Sequence, residues 1–298
     1  MTQILNARET AAQLPWAALV AQIRAVLADP SVHVPERLVQ PLPGGGSLFV
    51  MPAHDNEFAI TKLITFTPAN AGTTRPTIQG DVVVFSIASG ERCLVMDGPT
   101  VTARRTAAVS LLAAQAFAPN KDGPLLVVGA GAQGRAHLDA FAQGLSIGEV
   151  VIASRTEGSA QALAVYARSI GLKASVTTDA DGALKDCPLV VTCTPASDVV
   201  LQALPRGDSF IAAVGSFTPQ MVELAPDLCR HVAQHGSIVV DTPDAVHEAG
   251  DLLQAGLDVA SFPALKDLLG KELPRRGPVL FKSCGWAGWD LAAARTAN

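Results

Sequence analysis

The spacing of hydrophobic residues changes near residue 120 and predicts two kinds of structure in one chain. Before that point, five short apolar runs bounded by turn residues are typical of β-strands: "RLVQPL", "SLFVMPA", "EFAITKLITF", "GDVVVFSIAS" and "RCLVMDG". A helical period runs through "ARETAAQLPWAALVAQIRAVLADP", which Pro30 ends, and through "TVTARRTAAVSLLAAQAFA". The first part is therefore predicted to be a β-rich, mostly antiparallel α+β unit.

The polar segment "PNKDGP" marks the predicted domain boundary, and the pattern beyond it is different. Short apolar runs alternate there with helical stretches: "LLVVG", "VVIAS", "KASVT", "LVVTC", "FIAAVG" and "SIVVD". Alternation of buried strands with helices is typical of a doubly wound parallel sheet. The predicted fold class is thus α/β, with a Rossmann-type parallel sheet and a second, β-rich α+β domain.

The stretch "LLVVGAGAQGRAHLDAF" places a glycine-rich turn between a buried strand and a helix. Gly129 permits the tight turn, Gly131 lets the backbone approach a pyrophosphate, and Gly134 lets helix and strand pack closely. Ala132 and Gln133 lie where the helix begins, and its free N–H groups attract an anion. Strand, turn, helix and second strand in this order predict a dinucleotide site, the alternative being a purely structural turn.

The end of the second strand indicates which dinucleotide is bound. An NAD site usually ends this strand with Asp or Glu, which binds the ribose 2′-hydroxyl. Here the strand ends in Ser154, Arg155 and Thr156, which offer a cation and two hydroxyls. The prediction is NADP(H), with NADH possible at lower preference. The alternative is that Arg155 is a solvated loop residue.

Two cations outside this domain fall at positions that are predicted to face inward. Period-2 alternation in "EFAITKLITF" places Lys62 in one row with Ile60 and Ile64. The helical period after Pro99 places Arg105 on the stripe of Val101. Two inward cations indicate a pocket for a carboxylate. The alternative is that both pair with buried Asp or Glu of the same domain, because buried charges need partners.

Composition narrows the function classes. The chain has 298 residues, a formal charge of −5, no basic block and a single Tyr, which argues against a nucleic-acid partner. It has no apolar stretch of about 18 residues and its start carries no targeting pattern, so we expect a cytoplasmic protein without a membrane partner. Its five cysteines include no CxxC pair, which argues against a disulfide framework and a thiolate zinc site.

Two short motifs are interpreted as coincidental. "GLSIG" spells a nucleophile elbow, but it follows a predicted helix and precedes a strand, which reverses the order that exposes the serine. "HVAQH" spaces His231 and His235 as zinc ligands would be spaced, yet it has no internal Glu and no evident third ligand. No metal site is predicted.

Nearly the whole chain resembles the ornithine cyclodeaminase/mu-crystallin family of dinucleotide-dependent enzymes. The stretches that carry the resemblance are "VPERL", "TKLITFTPAN", "DGPTVTARRTAAVSLLAA", "VVGAGAQGRAHLDAF", "ASRT", "GSFTPQMVEL", "AVHEAGDL" and "LFKSCGWAGWDLAAAR". The resemblance implies that Arg37, Lys62 and Arg105 hold a substrate carboxylate. It also implies a homodimer, with the C-terminal helix returning to the first domain, so that residues 1–118 and 280–298 form the substrate and dimerisation domain and residues 119–279 bind the dinucleotide.

Within this family the sequence departs from the cyclodeaminases. By resemblance, these enzymes carry a water-activating Glu where this chain has Phe49, and an Asp at or next to the position of Ser216. Loss of both carboxylates argues against cyclodeamination, which needs acid and base groups. The nearer resemblance, through "GGGSLFVMPA" and "RPTIQGDVVVF", is to the reductases of cyclic ketimine carboxylates.

The expected reaction is therefore reduction by NADPH of Δ1-pyrroline-2-carboxylate to L-proline, Δ1-piperideine-2-carboxylate to L-pipecolate, or both. Lys62 is expected to bind the carboxylate and to assist protonation of the imine nitrogen. Thr194, Pro195 and Ser216 are expected to line the nicotinamide end, at the carboxyl edge of the sheet, and Ser216 is also a candidate catalytic residue beside Lys62. Ornithine cyclodeaminase, an open-chain amino-acid dehydrogenase and a mu-crystallin-like NADPH- or ligand-binding protein remain as alternatives.

Overall fold

The computed structural model describes residues 2–70, 73–195 and 198–298 and divides the chain into two compact units. The first unit comprises residues 1–108 and 286–298, and the second comprises residues 109–285. The sequence places the boundaries at 118/119 and 279/280. The observed division instead falls within one continuous helix, α3 (Gly98–Phe117), whose first half belongs to one unit and whose second half to the other.

The first unit contains a six-stranded sheet in the order β1-β6-β5-β4-β3-β2. Its strands are β1 (Gln3–Leu5), β2 (Leu38–Pro41), β3 (Ser47–His54), β4 (Phe58–Phe66), β5 (Ile78–Ser86) and β6 (Arg92–Asp97). Neighbours pair antiparallel except β1, which is parallel to β6. The five strands that the sequence predicts are confirmed as β2 to β6, and β1 is an additional strand.

Helices α1 (Ala7–Gln13), α2 (Trp16–Ala28) and α10 (Ala287–Ala297) complete this unit. The sequence predicts one helix up to Pro30, but the chain bends by 70° between α1 and α2. Pro15 has no N–H to donate and caps the start of α2, so a continuous helix is interrupted there. Helix α10 is buried from Ala287 to Ala294 and packs on α2, β3 and β4, where it covers one face of the sheet.

The second unit is built on a seven-stranded, all-parallel sheet in the order β12-β13-β11-β10-β7-β8-β9. Its strands are β7 (Leu125–Val128), β8 (Glu149–Ala153), β9 (Lys173–Thr177), β10 (Leu189–Thr192), β11 (Phe210–Ala213), β12 (Ser237–Val240) and β13 (Val279–Lys282). The six predicted strands are confirmed. The seventh, β13, was not predicted, and the expected boundary at 279/280 would divide it.

Helices surround this parallel sheet, as its apolar strands require. They are α4 (Ala132–Gly144), α5 (Glu157–Ser169), α6 (Ala180–Leu184), α7 (Pro226–His235), α8 (Gly250–Gln254) and α9 (Leu265–Leu268). Strands β7, β10, β11, β12 and β13 are buried along their whole length, which is typical of a sheet covered on both faces. The doubly wound α/β architecture and the separate antiparallel sheet are therefore confirmed.

No single helix among the described residues is long and apolar enough to cross a membrane, although the bent pair α1 and α2 passes that test by length and composition.

Candidate active site

Candidate residues form one cluster in each unit, and each cluster is described by itself. In the first unit, strand β4 turns Lys62 toward the core together with Ile60 and Ile64. Only 1% of Lys62 is exposed, and its cross-strand neighbours are Met51 and Val82. The inward orientation predicted from the alternation is thus confirmed, and an ammonium group lies among apolar side chains.

Helix α3 supplies the second cation. Arg105 is buried, as its place on the apolar stripe of the helix predicts. The adjacent Arg104 points elsewhere, since its guanidinium lies 3.9 Å from the ring centre of Trp16 and donates to the carbonyl of Leu14. A helical step of about 100° separates the two arginines and explains why one of them faces the cluster and the other does not.

A fully buried carboxylate, Asp290 of α10, lies between the two cations. Its Oδ2 is 2.9 Å from Lys62 Nζ, and its Oδ1 is 3.2 Å from Arg105 Nε. Pairing with an acid of the same domain is the alternative that the sequence left open, and the structure shows such a pair. Sequence reasoning missed Asp290. Its signal was a single acid within the apolar helix "WAGWDLAAA".

The cluster nevertheless keeps an excess of positive charge. Burial, followed by the positive charge of Arg105, lowers the pKa of Lys62 to about 8, although Asp290 acts in the opposite direction. Arg37, half-buried just before β2, also contributes to lowering this pKa. Lys62 and Arg105 together therefore carry one positive charge more than the carboxylate of Asp290 compensates. Such a surplus inside a protein favours binding of a further anion.

The glycine turn of the second unit has the geometry that a dinucleotide requires. Gly129 has φ +113°, and a Cβ there would lie 2.9 Å from the carbonyl oxygen of Cys193. A Cβ on Gly134 would lie 2.0 Å from the carbonyl oxygen of Gly129, so only glycine allows this contact of helix and turn. A Cβ on Gly131, in contrast, would meet open space. The cradle at the start of α4 is therefore compatible with a bound pyrophosphate.

Three residues follow β8 beside this turn. Ser154 is half-buried and its Oγ accepts a hydrogen bond of 3.3 Å from the N–H of Thr156, which precedes α5. Arg155 and Thr156 are exposed. Ala132 and Gln133 occupy the first positions of α4, the former exposed and the latter half-buried. The roles of these five residues in cofactor binding stay predictions.

One of the predicted nicotinamide-lining residues, Thr194, contacts an unpredicted acid, Glu223, at the carboxyl edge of the parallel sheet. One oxygen of Glu223 accepts from the N–H and the hydroxyl of Thr194, at 2.6 and 2.9 Å. The other accepts from the hydroxyl of Thr192 and the N–H of Gly215, at 3.0 and 2.7 Å. Burial raises the pKa of Glu223. This side chain thereby ties together the segments that follow β10 and β11, whereas Pro195 is exposed.

A buried lysine, Lys282 of β13, holds the next segment. Its Nζ is 2.9 Å from Asp251 Oδ2 and donates at 2.6 Å to both the carbonyl and the hydroxyl oxygens of Ser216. The hydroxyl of Ser216 in turn donates to Asp251. Burial lowers the pKa of a lysine, but the negative charge of Asp251, supported by Glu223 and by the hydrogen bond to Asp251, outweighs burial and holds the pKa of Lys282 above its ordinary value.

This network bears on the predicted roles of Ser216. Its side chain is fully buried, and the contacts of its hydroxyl are to protein groups that hold a loop in place. The catalytic and cofactor-lining roles of Ser216 stay predictions. Glu223, Asp251 and Lys282 escaped the sequence reasoning, although each is a charged residue next to or within an apolar run. A charged residue in an apolar run indicates a buried partner of opposite charge, because burying a charge without a partner is costly.

The two coincidental motifs lie where they were expected. "GLSIG" connects the end of α4 to β8, and "HVAQH" lies on α7, where the rings of His231 and His235 are 4.6 Å apart. In the described part of the chain, no group of three or more His, Cys, Asp or Glu could hold a metal ion.

The chain is similar to known proteins along nearly its whole length. The ornithine cyclodeaminase/mu-crystallin family model matches residues 3–297. The chain is 37% identical over 297 residues to Delta(1)-pyrroline-2-carboxylate reductase 2 of Burkholderia ambifaria, which covers 98% of this chain and 94% of that protein.

Two solved structures share the fold. The chain matches an archaeal alanine dehydrogenase dimer with bound NAD at a TM-score of 0.88 and 24% identity, over 99% of this chain and 94% of that one. It matches the Delta(1)-pyrroline-2-carboxylate reductase of Thermococcus litoralis, in complex with NADH and L-proline, at a TM-score of 0.85 and 22% identity. That match covers 98% of this chain and 92% of the other.

Proposed function

The chain belongs to the ornithine cyclodeaminase/mu-crystallin family, and from this premise we propose that it is a nicotinamide-dependent reductase of cyclic ketimine carboxylates. The proposed substrate is Δ1-pyrroline-2-carboxylate, reduced to L-proline, Δ1-piperideine-2-carboxylate, reduced to L-pipecolate, or both. The observation that carries the proposal is the buried cluster of Lys62 and Arg105, in a chain 37% identical over nearly its whole length to a named pyrroline-2-carboxylate reductase.

The cationic cluster accounts for recognition of a carboxylate. Lys62 and Arg105 share the single negative charge of Asp290, and Arg37 adds a third positive charge nearby. A substrate carboxylate satisfies this surplus through charge-assisted hydrogen bonds, which are stronger in a site shielded from water. Binding through the carboxylate fixes the orientation of the imine carbon, and this lowers the entropic cost of the reaction.

Lys62 also fits a role in proton transfer. Reduction of a C=N bond to CH–NH consumes one hydride and one proton. A lysine with a pKa of about 8 is partly protonated at physiological pH and gives up its proton far more readily than an exposed lysine. We propose that Lys62 donates a proton at the imine nitrogen, while Arg37 and Arg105 retain the carboxylate.

The dinucleotide is proposed to be held by the turn at Gly129, Gly131 and Gly134. A bound nicotinamide cofactor supplies the hydride, and the structural relatives above carry NAD or NADH. For this chain we propose a preference for NADPH, with NADH as the weaker donor. The support is the exposed Arg155 between two hydroxyl residues, at the place where NAD enzymes carry an acid.

A second copy of the chain is the proposed partner. The face of the six-stranded sheet opposite Lys62 exposes apolar side chains across several strands: Ile4, Leu38, Leu63 and Phe85 are 68%, 56%, 45% and 37% exposed. The pairing register places Leu63, Val50 and Leu38 in one row on this face. An apolar row of this kind is typical of an interface, and a self-complementary sheet face suits a two-fold dimer.

Light scattering on the purified chain tests the dimer. The wild type is expected to have the mass of two chains, and Leu63→Lys the mass of one. A single-chain mass for the wild type at micromolar concentration would contradict the proposal.

Oxidation of NADPH in the presence of Δ1-pyrroline-2-carboxylate tests the reaction. We expect rapid loss of absorbance, slower loss with NADH, and a loss slower by roughly 100-fold in Lys62→Ala or Arg105→Ala. Ammonia release from ornithine would favour cyclodeaminase, although Phe49 on β3 supplies no acid for it. Reduction of an open-chain 2-oxo acid with ammonia would favour an amino-acid dehydrogenase. Tight binding of NADPH without turnover would favour a binding protein.

A further inference from the structure

Asp290 lies in surroundings that oppose a charge. Helix α10 is buried from Ala287 to Ala294, and Asp290 is the only acid in that segment. Burial of a carboxylate without a partner costs several kcal/mol, so its partners must account for its place there. Those partners are the two cations to which the proposed function assigns the substrate carboxylate.

We propose that Asp290 is a positioning residue, which holds Lys62 and Arg105 together for the substrate and keeps the Lys62 ammonium protonated. The inference rests on the proposed function in one respect only, the identity of the anion that the two cations bind. Asp290 itself contacts protein groups, and it acts on the reaction through Lys62 and Arg105.

The geometry supports this role because both cations lie within ion-pair distance of one carboxylate. Lys62 Nζ on β4 lies 2.9 Å from Oδ2 and donates a hydrogen bond of 3.2 Å to Oδ1, and Arg105 Nε on α3 also lies 3.2 Å from Oδ1. Two like charges from different elements are thereby held near one another. Without the carboxylate their repulsion would separate the side chains or remove the proton from Lys62, which is the more acidic of the two cations.

The charged groups around Lys62 set the direction of the expected effect. Arg105 on α3 and Arg37 before β2 lower its pKa, and Asp290 on α10 raises it. Neutralising Asp290 removes the group that favours the charged amine. The Lys62 ammonium is then expected to lose its proton at a lower pH than in the wild type.

The same helix provides a matched control. Arg295 of α10 pairs with the buried Asp55, Nε to Oδ2 at 2.6 Å, and with Asp29 at 2.5 Å. Asp55→Asn also removes an ion pair between α10 and another segment of the first unit, while Arg295 keeps Asp29 as a partner. It leaves Lys62, Arg105 and Asp290 unchanged, so it reports the cost of a merely structural loss.

The experiment compares full-length Asp290→Asn and Asp55→Asn over a range of pH, with ketimine reduction as the first readout. For Asp290→Asn we expect a KM for the imine at least tenfold higher at pH 8, with a smaller change in kcat. The alkaline fall of kcat/KM should move to lower pH by on the order of one pH unit. In a Lys62→Arg background, Asp290→Asn should produce no such move, because arginine does not titrate in this range.

A second readout does not depend on catalysis. In protein labelled with [13Cε]lysine, the NMR signal that disappears in Lys62→Arg reports the titration of Lys62. Its midpoint is expected near pH 8 in the wild type and in Asp55→Asn, and lower in Asp290→Asn. A wild type that titrates as expected but reduces no ketimine would refute the proposed function and leave the role of Asp290 standing.

Equal midpoints and equal KM values in Asp290→Asn and Asp55→Asn would overturn the proposal. If Asp290→Asn does not fold, Asp290→Glu takes its place. The longer carboxylate keeps the charge, so the midpoint of Lys62 should stay within about 0.5 pH unit while KM rises through misplacement of the cations. An unchanged KM in Asp290→Glu would then overturn the positioning role.

Discussion

The molecule contains two buried lysine–aspartate pairs, one in each unit, and they behave in opposite ways. Lys62 and Asp290 are 2.9 Å apart in the first unit, and Lys282 and Asp251 are 2.9 Å apart in the second. All four side chains are at most 1% exposed. Yet the pKa of Lys62 is lowered to about 8, whereas that of Lys282 is raised above its ordinary value.

The neighbours of each pair explain the difference, since burial alone opposes the charge on both lysines. Lys62 and Arg105 share one carboxylate, that of Asp290, and Arg37 also acts to lower the pKa of Lys62. Lys282 has Asp251 and Glu223, and it also donates to two oxygens of Ser216. A surplus of positive charge is the condition for binding an anion, while a compensated network stabilises the fold. Charge balance therefore separates the proposed binding site from the structural network better than burial does.

Replacement of Lys282, whose charge is balanced by nearby acids, should have the largest effect on stability. Lys282→Met leaves Asp251 and Glu223 buried without their cation, which is expected to cost about 3–5 kcal/mol of unfolding free energy. Urea denaturation measures this loss. Lys271→Met, at an exposed position, is the control and should change the free energy by less than about 0.5 kcal/mol. A loss of unfolding free energy below about 1 kcal/mol in Lys282→Met would contradict the structural role that separates Lys282 from Lys62.

Removal of the other lysine should act on catalysis instead. Lys62→Met keeps Asp290 paired with Arg105, so we expect a change in unfolding free energy within about 1 kcal/mol. The value of kcat/KM for the imine should fall roughly 100-fold, because a charge-assisted hydrogen bond to the substrate is lost. Steady-state kinetics and urea denaturation on one preparation separate the two effects. A large loss of stability with intact kcat/KM would reverse the assigned roles.

The pH dependence sharpens the comparison further. Lys62 is charged below its pKa of about 8 and neutral above it, so kcat/KM should fall with rising pH, approaching tenfold per pH unit at alkaline pH. Lys282 keeps its proton over the same range and contributes no such fall. Lys62→Arg should be slower than the wild type, because arginine does not give up its proton in this range, and its remaining kcat/KM should have a flatter alkaline limb, since arginine stays charged. An equal alkaline fall of kcat/KM in the wild type and in Lys62→Arg would show that a group other than Lys62 causes it.

The smallest expected effect concerns an exposed residue of the second unit. Arg155→Ala should reduce the preference for NADPH over NADH about tenfold, because one charge-assisted contact to a 2′-phosphate is lost near solvent. The ratio of kcat/KM for the two cofactors measures the preference. Because Arg155 lies outside the buried network around Lys282, unfolding free energy should be unchanged. An unaltered ratio would contradict the assignment of the 2′-phosphate to this residue.

Periodicity and glycine spacing were enough to predict much of the fold. The alternation in β4 and the helical stripe in α3 predicted that Lys62 and Arg105 are buried, because these periods are properties of the local backbone. The need for glycine at Gly129 and Gly134 could be predicted for the same reason, since it depends on a turn only a few residues long. The break at Pro15 and the strand β13 were missed, the latter because Lys282 interrupts an apolar run.

What the sequence by itself determined is which side chains face inward and where strands, helices and the glycine turn begin. The tertiary structure alone decided which charges meet. Asp290 is 228 residues from Lys62 along the chain, and Asp251 lies 31 residues before Lys282. Electrostatic interactions weaken with the distance between two charges in space. For residues so far apart in sequence, that distance depends on how the elements pack, and local periodicity does not specify it. Hence the sequence predicted two inward cations, and only the fold showed the carboxylate between them.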